Sequence, residues 1–520
     1  MTLREKILQT FVVTMREVNR HGGPQEFFDK YPVGGLFYRE LAGTENTIET
    51  GTGTNYVRLM ECRKASKVPL LVCADYCTIN GQKNMCRPSS LGASRNAEDA
   101  YNFGKMQGMQ FNSKGVDWIL APAIDLLYDR STPHGAITDD PEIVAEVFGK
   151  VVEGIQDQGV CATVKHFPGL GTNNINMHFG HGKNVLSFDE WMDTYGYIYK
   201  EMFKKNVMCV MTTHTSLKSY AEEYENGYYP IATFSEKLTT KLLKEELGFG
   251  GAVVTDALIM GGMCGGNLVE ETVQAFRAGA DLLLWPPIEA ANRIEELILS
   301  GDIPMSRLED ALTRIQKLRD FRNKALSENK FDKPNLDFAE KTSLNVIRNG
   351  ICEYKNEISL LPLNREKIKK ILIIDGSRSL EMTPSVLLGR ELEKAGFEVN
   401  VRRDVYDVSS NVCWQEDLDE IQAEYDLVIF SFDTAYISAN ESAGAGNISY
   451  MMIWASQLMN KNKKLIINYG SPFFAEDYFP EEHTIIEVNT VPTEATINFV
   501  VQGLLGEIRF TGKKALTRKE

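Results

Sequence analysis

Short apolar runs alternate with longer amphipathic stretches through the first two-thirds of the chain. The runs are FVVTM (11–15), VGGLFY (33–38), PLLVCAD (69–75), VDWILAPAID (116–125), CATVKHF (161–167), VMCVMTT (207–213), GAVVTDAL (251–258) and ADLLLWPP (280–287). Between them lie helical patterns such as DPEIVAEVFGKVVEGIQDQG and SEKLTTKLLKEELGFG, the second opening on a serine cap and closing on glycines. Near-continuous apolar strands joined by helical crossovers form a parallel sheet that helices cover. Eight of them predict a (β/α)8 TIM-like barrel, with an open doubly wound sheet as the alternative. Polar residues recur where these strands end: Asp75, Asp125, Lys165 with His166, His214 and Asp256. In a barrel those ends converge on one mouth, where active sites are built.

Residues 326–345, LSENKFDKPNLDFAEKTSLN, break the pattern and read as a linker with a short helix. A second strand–helix alternation follows in KILIIDGSRS, FEVNVRRD, YDLVIFSFD, KKLIINYGSP and HTIIEVNT. The expected organisation is a barrel over 1–325, a linker over 326–347 and a smaller α/β sandwich over 348–520. IIDGSRS lacks the Gly-x-Gly-x-x-Gly spacing, so a dinucleotide site is not expected there.

Composition narrows the partners. The 520 residues are 43% hydrophobic and 24% charged, with a net charge of −15, which argues against nucleic acid and anionic membrane as partners. There is no apolar run of membrane-spanning length, and the N-terminal MTLREKILQTFVVTM reads as a helix leading into a strand rather than a signal peptide. Nine scattered cysteines fit free thiols in a reducing cytoplasm, and the cluster Cys73, Cys77 and Cys86 fits no zinc spacing. Neither a metal nor an organic cofactor is expected.

Residues 165–180, KHFPGLGTNNINMHFG, concentrate the candidate chemistry: a Lys-His pair, a Pro-Gly turn and a second histidine, His178, without a carboxylate among them. Asp256, after the buried run GAVV, is the sharpest residue. A carboxylate at a barrel mouth can act as a nucleophile; a cap on the next helix is the other reading.

KHFPG-x-G-T followed by His178 resembles the signature of family 3 glycoside hydrolases, in particular their β-N-acetylglucosaminidase (β-hexosaminidase) branch. LREKILQTFVV, VGGLFYREL, ATFSEKLTTKLLKEELGFGGAVVTDALIM, AGADLLLWPP and GLLGEIRFTGK fall in family order, so the resemblance covers essentially the whole chain. It implies that Asp256 is the nucleophile of a retaining mechanism with a glycosyl-enzyme intermediate, and that His178 is the general acid and then base. It also implies that Lys165, His166 and Asp75 bind sugar hydroxyls, with Asn176 and His214 beside them.

The sequence departs from the family pattern within the same pocket. Asn176 stands where the branch has an Asp that orients the histidine. An amide oxygen still fixes the tautomer but adds no charge, which lowers the imidazole pKa and weakens the acid step. The Glu-Gly-Gly run after Asp75 is missing, and HGAITDDP replaces the Arg-bearing motif, leaving Arg130 or His134 as substitutes. Glu441, in SANESAGAGNISY, is an alternative acid/base, since the β-glucosidase branch carries its acid on a second-domain loop. Three functions follow: an exo-β-glycosidase acting on terminal β-N-acetylglucosaminides or a related β-glycoside, a glycoside phosphorylase with the same nucleophile, and a degenerate, non-catalytic homologue that binds a sugar or a protein.

Overall fold

All eight apolar runs become parallel strands in the computed structural model, which describes residues 1–38, 53–75, 82–128, 135–172, 175–221, 228–263, 265–377, 383–403, 415–434 and 447–517. The strands are β1 (Phe11–Thr14), β2 (Gly35–Phe37), β3 (Leu71–Ala74), β4 (Trp118–Ile119), β5 (Cys161–Phe167), β6 (Cys209–Thr212), β7 (Ala252–Thr255) and β8 (Leu283–Leu284). They pair in chain order, and β8 returns to β1 with Phe11 opposite Leu283. A bridge from Val254 to Leu282 and the hydrogen bond from the Thr255 N–H to the Leu282 carbonyl, 3.0 Å, close the circle between β7 and β8. The architecture is therefore the barrel, and the open sheet is set aside.

The strands are shorter than their apolar runs. β4 keeps two residues of the expected ten because the chain turns at Ala121-Pro122, and Ala123 then rejoins the sheet as a single bridge to Lys165. At the N-terminal ends of the strands, buried carboxylates fasten the helices. Asp281 accepts from Lys244 Nζ and Arg307 Nη2, both at 2.7 Å, and from the Val253 N–H at 2.8 Å. Asp117 accepts from Arg63 Nη2 at 2.5 Å and Arg322 Nε at 2.9 Å. Arg307 and Arg322 both stand on the helix Met305–Ser327, whose Ile315 and Leu318 pack with Val12, Trp118, Cys161 and Val254 of the strands. Cys73, Cys161 and Cys209 are wholly buried, and burial pushes their thiols up.

The second sheet holds β9 (Cys352–Asn356), β10 (Lys370–Asp375), β11 (Glu398–Arg402), β12 (Leu427–Asp433), β13 (Lys464–Tyr469) and β14 (Thr484–Glu487), in the order β9-β14-β13-β12-β10-β11. All neighbours are parallel except β9, which runs antiparallel to β14. β9 was not expected, because CEYKN is a polar edge strand with no apolar run to betray it. Helices Thr383–Lys394 and Glu494–Leu504 cover one face through Leu388, Leu392, Ile497 and Val500. Leu418, Ile421, Met452 and Phe474 of three further helices cover the other.

The chain divides into two compact units, Met1–Gln82, Ala100–Pro133 and Val144–Ala339 forming one, and Lys83–Asp99, His134–Ile143 and Glu340–Glu520 the other. The expected organisation had placed 83–99 and 134–143 in the barrel. Hydrogen bonds account for the difference: the Ser89 and Ser90 hydroxyls donate to the Asn489 carbonyl at 2.6 and 3.1 Å, and Asp139 accepts from the Thr517 N–H at 2.6 Å. Most of the expected linker is the helix Leu336–Asn349.

Candidate active site

β5 ends in the Lys-His pair, and its neighbours supply the partners. The Ile124 N–H donates to the Lys165 carbonyl at 2.7 Å, which sets the turn after β4 against β5 and brings Asp125 beside His166. Asp125 is wholly buried. Its Oδ2 lies 2.7 Å from His166 Nδ1, and its Oδ1 accepts the Leu170 N–H at 2.8 Å. A buried carboxylate on Nδ1 fixes the ring orientation and leaves Nε2 for other work. Lys165 Nζ donates to Asp75 Oδ1 at 3.1 Å, and the Asp75 side chain is half exposed. Burial lowers the Lys165 pKa, but the charges of Asp75, Asp256 and Asp125 outweigh it and raise it above the ordinary value.

Asp256 follows β7 directly. Its N–H donates to the Thr212 carbonyl at 2.8 Å, so the residue is pinned to the end of β6. Oδ1 accepts the Ala257 N–H at 2.8 Å, and Oδ2 lies 3.5 Å from the Thr213 hydroxyl. The residue is partly exposed. Burial pushes its carboxyl up, yet His166, His214, Lys165 and the Ala257 N–H together hold it below the usual carboxylate value. It is thus a partly exposed carboxylate, held below its ordinary pKa, with the Lys165 ammonium within electrostatic reach.

His178 sits on the loop after β5. Its ring Nδ1 lies 2.8 Å from Asn176 Oδ1, and that same oxygen accepts the His178 backbone N–H at 3.0 Å. An amide oxygen only accepts, so Nδ1 carries the proton and Nε2 is the atom free for transfer. Burial lowers the imidazole pKa, the charge of Asp256 raises it, and His166 and Lys165 lower it further; the net shift is downward. This loop is stitched to the one after Asp256. The Gly261 N–H donates to the His178 carbonyl at 3.0 Å and the Gly262 N–H to the Met177 carbonyl at 3.1 Å. A Cβ at Gly262 would stand 2.4 Å from the Met177 oxygen, so the seam requires glycine.

His214 was expected to touch sugar and is placed otherwise. It is wholly buried, with Nδ1 at 2.9 Å from the Thr233 hydroxyl and Nε2 at 3.1 Å from the Ala257 carbonyl. Both ring nitrogens are engaged within the chain, so it holds the peptide after Asp256 and offers nothing outward. Glu441, Arg130 and His134 lie outside the described residues.

Asp75, Lys165 and Asp256 thus influence one another at the strand ends, His166 and His178 lie within electrostatic reach of Asp256, and Asn176 holds the His178 ring. Sequence reasoning had noted Asp125 as a strand-end acid without pairing it with His166. The signal available was that both end neighbouring strands. Thr213 and the Gly261-Gly262 seam gave no signal of their own. Among the described residues, no three His, Cys, Asp or Glu side chains gather as a metal site, and no helix is long and apolar enough to cross a membrane.

A barrel whose strand-end mouth gathers a carboxylate, a lysine and histidines is a scaffold for group transfer on polar substrates. Residues 2–318 match the model of the glycosyl hydrolase family 3 N terminal domain, and the chain belongs to that family. It is 26% identical over 369 residues to a β-N-acetylglucosaminidase/β-glucosidase of Cellulomonas fimi, covering 66% of this chain and 63% of that protein. It is 27% identical over 314 residues to β-hexosaminidase A of Pseudoalteromonas piscicida, covering 55% and 51%. The alignments therefore span between half and two-thirds of these relatives. Among solved structures, the β-glucoside phosphorylase BglX superposes with a TM-score of 0.82 at 22% identity over 99% of this chain and 94% of that one. A family 3 β-N-acetylglucosaminidase from Paenibacillus sp. gives 0.74 at 22% over 99% of each. These likenesses establish the barrel-plus-sandwich fold.

Proposed function

We propose that the chain is a retaining exo-β-glycosidase that releases terminal β-N-acetylglucosamine or a related β-linked sugar. The observation that carries this reading is the Asp256 carboxylate, ionised and partly exposed at a barrel strand end, on a loop stitched to the one that bears His178. Lys165, Asp75 and His166 hold the sugar by hydrogen bonds to its hydroxyls. An Asp256 oxygen attacks the anomeric carbon as the glycosidic C–O bond breaks, and His178 gives its Nε2 proton to the leaving oxygen. His178 Nε2 then takes a proton from water, whose oxygen attacks the same carbon and frees Asp256. Two inversions leave the configuration unchanged. The relatives named for β-N-acetylglucosaminides and β-glucosides support the substrate class. Proton NMR of the first product formed tests the stereochemistry: the β-anomer is expected, and initial release of the α-anomer contradicts the mechanism.

A second reading is favoured by Asn176. The imidazole that would activate water has no carboxylate behind it, so an incoming phosphate anion meets less repulsion than an acidic dyad would exert. Phosphate then replaces water in the second step and the product is a sugar 1-phosphate. A similar fold is known as a β-glucoside phosphorylase. Rates measured across a phosphate series separate the two: acceleration with sugar 1-phosphate as product supports phosphorolysis, and a flat response leaves hydrolysis.

A further inference from the structure

The helix Met305–Ser327 runs past the N-terminal ends of the barrel strands and carries four arginines. Three of them reach a carboxylate. Arg307 Nη2 lies 2.7 Å from Asp281 Oδ1, Arg314 Nε 2.8 Å from Asp310 Oδ1, and Arg322 Nε 2.9 Å from Asp117 Oδ1. The fourth, Arg319, reaches none, although it is only 8% exposed. Its Nη2 donates to Gln9 Oε1 at 2.7 Å, its one hydrogen bond among the described residues. Nε is enclosed and unpaired. Nη1 also bonds nothing in the chain but is not enclosed, so one edge of the guanidinium is open to solvent. A guanidinium offers five N–H donors, and the chain uses one.

Gln9, just before β1, does not stand in for an acid. Its Nε2 donates to the Pro32 carbonyl at 2.5 Å, which turns the amide oxygen toward Arg319 and makes the arginine's partner neutral. A buried lysine could shed its proton, but a guanidinium keeps its charge. Burial lowers the Arg319 pKa, and no neighbouring charge offsets it. An arginine stem often lies buried with its head in water, yet here Nε of the head itself is shut away. A charge buried in this way is costly unless an opposite charge accompanies it. The other three arginines of the helix have that charge within the chain, and Arg319 does not.

We infer that the Arg319 guanidinium binds a small monovalent anion, a halide such as chloride, at the N-terminal end of the barrel beside β1. One negative charge balances the one left over, and the enclosure of Nε favours a compact halide over a phosphate or a carboxylate group. Arg319 lies at the opposite end of the strands from Asp256, so the anion steadies the barrel and takes no part in the reaction. It does so by mass action, because the unfolded chain presents no such site.

Two measurements test this on the full chain. In the first, the melting temperature is followed at constant ionic strength as chloride replaces the bulky morpholinoethanesulfonate anion. Between about 5 and about 500 mM chloride the unaltered chain should gain about two degrees or more. Gln9→Glu sets a carboxylate against the same guanidinium and should remove most of that gain, as should Arg319→Met. Arg20→Met alters an exposed arginine and should keep it. In the second, crystals are soaked in sodium bromide and anomalous scattering is recorded at the bromine edge, a readout that needs no variant to fold. A bromine peak in contact with Arg319 Nε or Nη1 is expected. A flat chloride response in the unaltered chain, a response of equal size in Gln9→Glu, or a water at Arg319 with no bromine signal overturns the inference.

Discussion

Both units end their parallel strands in carboxylates, and the two sets differ in what surrounds them. In the sandwich, Asp375 closes β10 wholly buried, taking Ser385 Oγ at 2.6 Å, Ser377 Oγ at 3.0 Å and Arg403 Nε at 2.9 Å. Glu487 closes β14 almost without exposure, and its Oε1 has no hydrogen-bond partner among the described residues. In the barrel, Asp125 is buried and spent on His166, but Asp256 is partly exposed while the neighbouring imidazoles, Lys165 and the Ala257 N–H keep its pKa below the ordinary value. A saturated or isolated carboxylate serves the fold. A partly exposed one beside a lysine, with an imidazole on the adjoining loop, is the arrangement the proposed chemistry needs.

Substitutions can break that contrast. Asp256→Asn keeps the shape and removes the nucleophile, so turnover should fall about 10⁴-fold or more with little change in melting temperature. Asp375→Ala should do the opposite. It leaves Arg403 without its buried partner and costs about 3–5 kcal/mol in denaturant unfolding, while any activity retained by the folded fraction is near normal. Equal loss of activity in both variants at full stability would erase the distinction.

Asp125→Asn tests the partner behind His166. The Leu170 N–H, which now donates to Oδ1, must share an amide, and the ring loses its charged anchor. Activity should drop by roughly 10–100-fold, as it does when an orienting second partner is removed.

The pH profile comes next. The proposed first step needs Asp256 ionised and His178 protonated. The Asp256 pKa lies below its ordinary 3.8, and burial together with His166 and Lys165 sets the His178 pKa below its ordinary 6.5. With increasing pH, activity should therefore climb through a limb centred below 3.8 and decline through a limb centred below 6.5, giving an acidic optimum. Asn176→Asp places a negative charge at Nδ1, stabilises the imidazolium and should move the basic limb upward, raising the rate at pH 7 roughly tenfold. A basic limb that stays in place assigns the proton to another group.

The smallest effect belongs to the sandwich. Burial, with Glu476 nearby, raises the Glu487 pKa well above 4.5 despite the opposing charge of Lys514. A carboxyl that binds its proton more tightly when folded stabilises the fold at low pH and loses that contribution as pH rises through its folded value. Glu487→Gln should remove this loss, so its melting temperature should exceed that of the unaltered chain by a few degrees at pH 8 and match it near pH 4.

The sequence made the barrel legible because each strand is a buried apolar run, and burial is what periodicity reports. β4 was overread, since the regular strand stops at Ile119 and only the single bridge at Ala123 continues it, while the apolar composition runs on to Asp125. β9 was invisible because an edge strand needs no apolar residues. Of the proposed site, Asp256 and Lys165 were legible as charged residues at the ends of buried strands, and His178 as the second histidine of the loop that follows β5. The pairing of Asp125 with His166 was not, because it depends on how the chain turns after β4. The apparent lack of an acid near His178 was real for that histidine: its partner is the Asn176 amide, and the carboxylate is committed to the other imidazole.

Mass spectrometry of the chain after incubation with activated 5-fluoro glycosides of glucose and N-acetylglucosamine tests the central claim most directly. One fluoro-sugar on the peptide that contains Asp256, absent in Asp256→Asn, is the predicted outcome. Turnover of the parent glycosides with no adduct, or with the adduct on a different carboxylate, would contradict it.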